Sequence, residues 1–188
     1  MSILRLESHS LCQGDILMAY SVGNIKTFKG MEGAGFNAVL YRDGKKVAFV
    51  IDSGNGGECD FQWKDWESPK VDINITTDDE KPHTFKGTPE EKILYEYLET
   101  LPREPSEYFP KGLKTDPDIF VSNLISKFES ERWLKRNLRK NYLFQIGDKI
   151  GSEEYRTFKK QPNITREWVE AYIKKTYPNK KYKLLGDE

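Results

Sequence analysis

The sequence predicts an α+β fold, made of an N-terminal antiparallel β-meander, central helices and a small C-terminal β-β-α-β part. Three observations support this class. The dipeptide Asp43-Gly44 lies between two apolar runs, which is the strongest short-range signal of a β-hairpin. The dipeptides Thr88-Pro89 and Asp116-Pro117 are typical of helix N-termini. The 188 residues include 4 Trp, 10 Tyr and 10 Phe, which supply enough bulky side chains for a core.

The first 66 residues are predicted to be rich in β-strand. Asp43-Gly44 suits the positive φ angles of a type I′ turn, and Gly23-Asn24 is a second predicted turn. Both faces of segment 36–41 are apolar, so we expect this strand in the centre of the sheet. The predicted strands of the meander are 14–22, 24–29, 36–41, 46–51 and 58–63.

The next elements are a strand and a helix. Residues 70–76 alternate between apolar and polar side chains, which is typical of a strand with one exposed face. The acidic run 78–82 is predicted to be a solvated loop. Thr88, Pro89 and Glu91 form the sequence signature of a capping box at the start of the first helix. One face of that helix is apolar: Ile93, Leu94, Tyr97, Leu98 and Leu101.

A proline-rich connection is predicted in the middle of the chain. Residues 102–117 contain four prolines, which stop the first helix. They separate a β-rich N-terminal part, residues 1–101, from a C-terminal part, residues 118–188. The two parts are also compatible with one compact domain.

The second helix begins at Asp116-Pro117 and contains a conflict of periodicity. Its apolar stripe ends near Phe128, and the basic residues that follow lie on the same side of the helix as that stripe. Leu134 and Leu138 lie nearly opposite. We therefore expect either a break near Ser130 or a second half that projects and packs on something else.

The last 47 residues predict the order β-β-α-β. Segments 142–146 and 154–159 are predicted strands, Thr165 is a predicted N-cap, and segment 181–185 is a predicted returning strand. The helix after Thr165 carries five residues that are expected to face the core: Trp168, Val169, Tyr172, Ile173 and Tyr177.

Charge is distributed unevenly along a chain whose net charge is zero. Residues 1–110 contain 12 Lys and Arg against 19 Asp and Glu, whereas residues 111–188 contain 18 against 11. Two interpretations stay open: acidic and basic segments that complement each other, or a basic C-terminal surface for an anionic partner.

The glycine-rich loop after segment 46–51 is a candidate binding loop. Its backbone N–H groups are suited to bind a phosphate, a nucleotide or the backbone of a partner. It lacks the Gly-Lys-Ser/Thr of a P-loop and the ligand spacing of an EF-hand. The alternative is a structural connection between strands. The candidate residues are Gly54, Asn55, Gly56 and Gly57.

Candidate catalytic groups are few. The two histidines, His9 and His83, and the two cysteines, Cys12 and Cys59, lack the spacing of a zinc site. A nucleophilic pair of Cys59 with His83 is an alternative without local support. The sequence therefore predicts no cofactor and no catalytic residue.

A metal site is a further alternative. Asp52, Glu58 and Asp60 flank the glycine-rich loop, and convergent carboxylates can bind Mg²⁺ for phosphodiesterase or nuclease chemistry. Solvated carboxylates are the favoured interpretation, so the sequence predicts no metal.

Basic residues interleaved with aromatic ones form two groups in the C-terminal part. Such a pattern fits phosphate contacts combined with base stacking, although a sequence pI near 6.8 is low for a dedicated nucleic-acid binder. An acidic protein surface is the alternative partner. One group, beside Trp133, is the candidate binding surface: Arg132, Lys135, Arg136, Arg139 and Lys140. The other, near Tyr177, is Lys174, Lys175, Lys180, Lys181 and Lys183.

The strings GFNAVLYRDGKKVAFVIDSGNGGE, LFQIGD, EYRTFKK and VEAYIKKTYP resemble a loose group of uncharacterised small proteins from bacteriophages and mobile elements. In that group a hairpin leads into a GNGG-type turn. The resemblance covers about half of the chain. It implies an accessory role in phage or mobile-element biology, such as countering host defence by binding a host protein or sequestering a nucleotide signal.

The lack of a coherent catalytic set favours a non-enzymatic binding protein, and the resemblance implies that it binds and inhibits or modulates a host factor. Binding of nucleic acid or a nucleotide is the first alternative, and a metal-dependent phosphodiesterase or nuclease is the second. No apolar run approaches the roughly 20 residues of a membrane span, and no signal peptide is visible. We expect a cytoplasmic protein, in the host cytoplasm if it is phage-encoded. The sequence predicts neither the identity of the partner nor the oligomeric state.

Overall fold

The computed structural model describes residues 19–152 and 154–186. Within these ranges the chain forms nine strands and three α-helices, which confirms the predicted α+β class. It divides into two compact units, and the division falls between Leu124 and Ile125, inside the helix Pro117–Lys140. The predicted connection, residues 102–117, lies within the N-terminal unit.

A four-stranded antiparallel meander opens the N-terminal unit, in the order β1-β2-β3-β4. Asp43 and Gly44 have φ angles of 51° and 75°, so the predicted hairpin turn is confirmed. The strand that precedes this turn is central in the sheet, as we predicted from its two apolar faces. The strands are β1 (Tyr20–Lys29), β2 (Ala34–Arg42), β3 (Lys45–Asp52) and β4 (Asp60–Trp63).

The predicted turn at Gly23-Asn24 is wrong. These residues lie inside β1, where the register against β2 shifts between Gly23 and Lys26, and Asn24 has a φ of 52°. Gly and Asn accept this conformation in a β-bulge as readily as in a turn, which explains the error. Residues 14–18 of the predicted strand 14–22 lie outside the described residues.

A second hairpin and a helix follow the meander. The strand β5 (Val71–Thr76) was predicted, whereas its partner β6 (Pro82–Gly87) was not. The helix α1 (Pro89–Leu98) has the predicted capping box. Thr88 Oγ1 accepts a hydrogen bond from Glu91 N, and Glu91 Oε2 accepts one from Thr88 N, both at 3.1 Å.

Partly buried contacts join α1 to the meander. The Tyr20 ring lies 5.0 Å from the Tyr97 ring, and Arg42 Nη2 lies 2.7 Å from Glu90 Oε1. Asp65 Oδ2 accepts a hydrogen bond of 3.0 Å from Glu90 N in the first turn of α1. The core beneath includes the fully buried Leu94, and truncating such a residue to Ala typically costs about 2–5 kcal/mol of folding stability.

The helix α2 (Pro117–Lys140) is continuous. Of the two predicted alternatives, the break near Ser130 is therefore wrong, and the second half of the helix belongs to a different unit from the first. The start of α2 is confirmed, because Asp116 Oδ1 accepts a hydrogen bond of 2.7 Å from Ile119 N. From Ile125 onward α2 belongs to the C-terminal unit, where the Trp133 ring lies 5.7 Å from the Tyr155 ring. The apolar residues lie on different sides of the two parts of α2. The first part packs in the N-terminal unit and the second part packs in the C-terminal unit.

The C-terminal unit also contains the predicted β-β-α-β order. Its antiparallel sheet has the order β8-β7-β9, and the Thr165 hydroxyl caps the helix by accepting a hydrogen bond from Trp168 N. A core forms between sheet and helix from Phe144, Ile146, Val169 and Ile173. The elements are β7 (Asn141–Ile146), the 3₁₀ turn Gly147–Lys149, β8 (Arg156–Lys159), α3 (Arg166–Thr176) and β9 (Tyr182–Leu185).

Two of the five α3 residues predicted to face this core are exposed instead. Trp168 and Tyr172 keep 44% and 38% of their surface accessible, whereas Val169 and Ile173 are fully buried. The five predicted residues spread over about half of the helix circumference, which is wider than the stripe of roughly 100° that a core-facing helix needs. Trp168 and Tyr172 lie at one margin of that spread. None of the described helices is both long and apolar enough to cross a membrane.

Candidate functional site

The glycine-rich loop 53–57 is docked against the loop that joins β1 to β2. Gly54 N donates a hydrogen bond of 2.7 Å to Asp52 Oδ1, and Glu32 N donates one of 2.9 Å to Gly54 O. Met31 N donates to Asn55 Oδ1 at 3.2 Å. In an antiparallel meander these two loops lie at the same end of the sheet, which brings them together.

Close backbone packing explains why these loops need glycine. A Cβ atom on Gly30 would lie 2.6 Å from Gly54 Cα, and one on Gly35 would lie 2.6 Å from Asp52 O. Gly54 and Gly56 also have positive φ angles, of 67° and 73°. The contacts give the loop a structural role, and its role in ligand binding stays a prediction.

An acidic cavity of about 430 Å³ lies between the start of β4 and the first turn of α2. Cys59 N donates a hydrogen bond of 3.1 Å to Asp118 Oδ2 at its wall. Aromatic side chains complete the lining, among them Trp63 and Tyr95. Five carboxylates line the cavity: Glu58, Asp60, Glu91, Asp116 and Asp118.

The carboxylates and burial together shift three pKa values upward. Burial raises the pKa of Asp118, and the negative charges of Asp116 and Glu58 raise it further. Burial followed by the charge of Asp118 raises the pKa of the Cys59 thiol to about 12. Burial followed by the charge of Glu91 raises the pKa of the Tyr95 phenol to about 12. The cavity therefore carries a negative potential, which disfavours a phosphate ligand there.

This environment argues against the predicted alternative of a Cys59–His83 nucleophilic pair. A nucleophilic cysteine needs a lowered thiol pKa, and that of Cys59 is raised. The His83 ring instead stacks on Phe85 at 6.0 Å. No hydrogen bond joins these two side chains in the described part of the chain.

The alternative metal site at Asp52, Glu58 and Asp60 is not assembled. Asp52 accepts the hydrogen bond from Gly54 N, and Asp60 Oδ2 accepts one of 3.1 Å from Gln62 Nε2. Across residues 19–152 and 154–186, no group of three or more His, Cys, Asp or Glu side chains is placed to hold a metal ion.

The candidate basic residues form one exposed group on the second half of α2, which we call the α2 basic surface: Arg132, Lys135, Arg136, Arg139 and Lys140. Among the described residues, none of the five forms an ion pair. The N-terminal unit differs, because its cations are often paired. Arg42 lies 2.7 Å from Glu90, Arg103 lies 2.8 Å from Glu80, and Lys114 pairs with Glu99.

A second surface, on α3 and β8, was missed by the sequence analysis. The Trp168 and Tyr172 rings stack at 5.7 Å with an interplanar angle of 15°. Phe158 contacts both rings edge-on, at centroid distances of 5.5 and 4.8 Å. We call Phe158, Trp168 and Tyr172 the α3 aromatic surface. The signal that could have revealed it is the excess width of the apolar stripe on α3.

Comparisons with known proteins do not assign this chain to a family. No protein-family model matches it, no curated protein is significantly similar to it, and no solved structure matches it significantly.

Proposed function

We propose that this chain is a non-enzymatic binding protein whose α2 basic surface contacts an acidic surface of a partner protein. The observation that carries the proposal is the exposure of all five cations of that surface without an ion pair among the described residues. A partner that presents carboxylates would supply the missing counter-charges.

The spacing of these cations has a cost that a partner would relieve. Arg132 with Arg136, Lys135 with Arg139, and Arg136 with Lys140 are like-charged pairs at i and i+4. Each pair destabilises a helix by about 0.2–0.5 kcal/mol. The helix dipole favours cations only in the last turn, so it accounts for Arg139 and Lys140 alone.

Arginine is suited to such a contact. Its guanidinium group binds a carboxylate through two parallel hydrogen bonds. Three such guanidinium groups lie along α2, on Arg132, Arg136 and Arg139. The resemblance to phage and mobile-element proteins extends the proposal to a host factor that is inhibited or modulated by the contact. That extension stays a prediction.

Charge reversal on α2 tests the proposal. The full chain and its Arg136→Glu/Arg139→Glu variant are used as affinity baits in a nuclease-treated bacterial lysate, and bound proteins are quantified by mass spectrometry. We expect a protein that is recovered with the wild type and lost with the variant. Direct titration of that purified protein should show binding weakened about tenfold or more.

The matched control is Lys64→Glu/Lys70→Glu, which makes the same charge change at two exposed lysines of the N-terminal unit. The control should bind like the wild type, and all three proteins should have the same circular dichroism spectrum. Equal recovery with the wild type and the α2 variant would remove the α2 basic surface from the proposal.

A further inference from the structure

We infer that the α3 aromatic surface binds single-stranded nucleic acid, with bases stacked on Trp168 and Tyr172 and phosphates held by neighbouring cations. This inference uses residues other than the α2 basic surface, so it does not depend on the proposed protein partner. Three observations carry it: the exposure of the rings, their fixed orientation, and the charge around them.

The two exposed rings are not needed for the core of the C-terminal unit. Val169 and Ile173 fill that core and are fully buried, while Trp168 and Tyr172 expose 44% and 38% of their surface. Exposed large aromatic side chains on one patch mark an interaction site more often than a solvated surface. Their flat faces are suited to stack on the π-faces of bases.

Neighbouring contacts hold the rings in place before any ligand arrives. Phe158 meets Trp168 at an interplanar angle of 90° and Tyr172 at 82°, so both rings rest against the edge or face of a third ring. Trp168 and Tyr172 are themselves nearly parallel, at 15°. Side chains that are already ordered lose less conformational entropy on binding, which favours affinity.

Cations lie on α3 and on and just after β8, the elements that carry the α3 aromatic surface. Lys175 follows Tyr172 by three positions and Trp168 by seven, so all three lie along one side of α3. On β8, Arg156 lies over the Tyr177 ring at 5.2 Å, and just after β8 Lys160 lies over the Tyr142 ring at 5.1 Å.

The carboxylates nearest in sequence are already engaged. Glu170 Oε1 lies 3.5 Å from Arg166 Nε. A hydrogen bond with Thr165 lowers the pKa of Glu167. Its carboxylate lies in the first turn of α3, near the positive end of the helix dipole. After the end of α2, from residue 141 onward, the sequence has 10 Lys and Arg against 7 Asp and Glu. The charge around the rings therefore favours a polyanion.

The combination favours a nucleic acid over a purely acidic peptide, because carboxylates bind cations but cannot stack on aromatic rings as bases do. It also favours single strands over duplexes, since the bases of a duplex are stacked on each other and are not free to stack on side chains.

Fluorescence anisotropy with a labelled thymidine oligonucleotide tests the inference on the full chain. An oligonucleotide of about 12 nucleotides falls within the usual site size for such surfaces. We expect Trp168→Leu to weaken binding about tenfold, in line with the loss of one stacking contact. Trp168→Phe, which keeps a ring, should retain most of the affinity. Trp66→Leu removes a ring of the N-terminal unit that is more exposed than Trp168, at 67% against 44%, and should change nothing.

Salt dependence gives a readout that does not require removing a core-adjacent ring. Replacing Lys175 by Gln should reduce the slope of log K against log salt concentration by about 0.7, the value expected for one phosphate contact on a single strand. Thermal unfolding of each variant confirms that it is folded at the assay temperature.

Several results would overturn the inference. They are no binding of the oligonucleotide at about 50 mM salt, equal binding by the wild type and Trp168→Leu, and equal affinity for a duplex of the same length. Competition by poly-glutamate of matched charge, as effective as unlabelled oligonucleotide, would instead assign the surface to an acidic protein. The Arg136→Glu/Arg139→Glu variant tests the other surface, so the two proposals can fail separately.

Discussion

The chemistry of Cys59 illustrates how single residues take their properties from their surroundings. The thiol sits beside Asp118 at the wall of the acidic cavity, and its backbone N–H is held by the same carboxylate. Burial and negative charge act in the same direction on its pKa. The residue type alone would allow a nucleophile, whereas this environment disfavours the thiolate form that a nucleophilic cysteine needs.

Alkylation with iodoacetamide checks this conclusion. In a Cys12→Ser variant, Cys59 is the remaining thiol. A thiol pKa of about 12 in place of 9.0 lowers the thiolate fraction at pH 8 by about a thousandfold. We therefore expect alkylation to be slower by about a hundredfold or more than that of the same variant in urea. Similar rates in the folded and unfolded protein would contradict the raised pKa.

At the scale of elements, the meander depends on the contact between its two glycine-containing loops. Gly30, Gly35 and Gly54 are placed so that backbone meets backbone with no room for a side chain. Hydrogen bonds from Met31 N and Glu32 N then fix the loop between β1 and β2 to the loop between β3 and β4. The glycines thus allow the loop between β1 and β2 to pack closely against the loop between β3 and β4.

Replacing Gly30 by Ala should lower the free energy of unfolding by about 1–3 kcal/mol, because the new methyl group would overlap the backbone of Gly54. Gly33→Ala is the matched control in the same loop. A Cβ atom on Gly33 would meet no atom within 4 Å, so we expect a change within about 0.5 kcal/mol. Urea denaturation measures both. Equal destabilisation by the two substitutions would show that packing between the loops is not the cause.

The elements also show what sequence patterns can predict here. The Asp43-Gly44 hairpin, the capping box at Thr88 and the start of α2 at Asp116 depend on a few adjacent residues, and all three are confirmed. The strand β6 was not predicted because its sequence lacks a clear alternation of apolar and polar residues. Its first three residues, Pro82, His83 and Thr84, are all exposed. The position of β6 is set by its pairing with β5. The sequence of β6 alone does not reveal this pairing.

The candidate surfaces were predicted less completely than the fold. Exposure of the α2 basic surface follows from its charge, because desolvating five cations would be costly. The exposure of Trp168 and Tyr172 depends on how β8 approaches α3 in three dimensions. Both side chains are largely hydrophobic and lie within the predicted apolar stripe of α3. The sequence therefore predicted that they face the core.

For the whole molecule, the division into two units separates the charge. The sequence up to Leu124 has 14 Lys and Arg against 21 Asp and Glu, and the sequence from Ile125 onward has 16 against 9. A net charge of zero therefore conceals an acidic unit and a basic one. Charged surfaces act locally in solution, because salt screens them over about 8 Å at physiological ionic strength.

Ion-exchange chromatography at pH 7 and low salt measures this separation. We expect the full chain to bind both a cation exchanger and an anion exchanger in spite of its zero net charge. Arg136→Glu/Arg139→Glu should elute from the cation exchanger at clearly lower salt, because four units of charge change within the basic unit. Lys64→Glu/Lys70→Glu changes the same total charge in the acidic unit and should shift that elution less. Identical shifts would mean that only the net charge matters.

The docked glycine loops have a consequence for how the sequence can diverge. A larger residue at position 30 can be accommodated only if the backbone at position 54 moves away, and the reverse holds for position 54. The two loops are therefore expected to change together over evolutionary time, in paired lengths and paired compositions. Substitutions should be tolerated instead at position 33, where a Cβ atom meets no other atom within 4 Å.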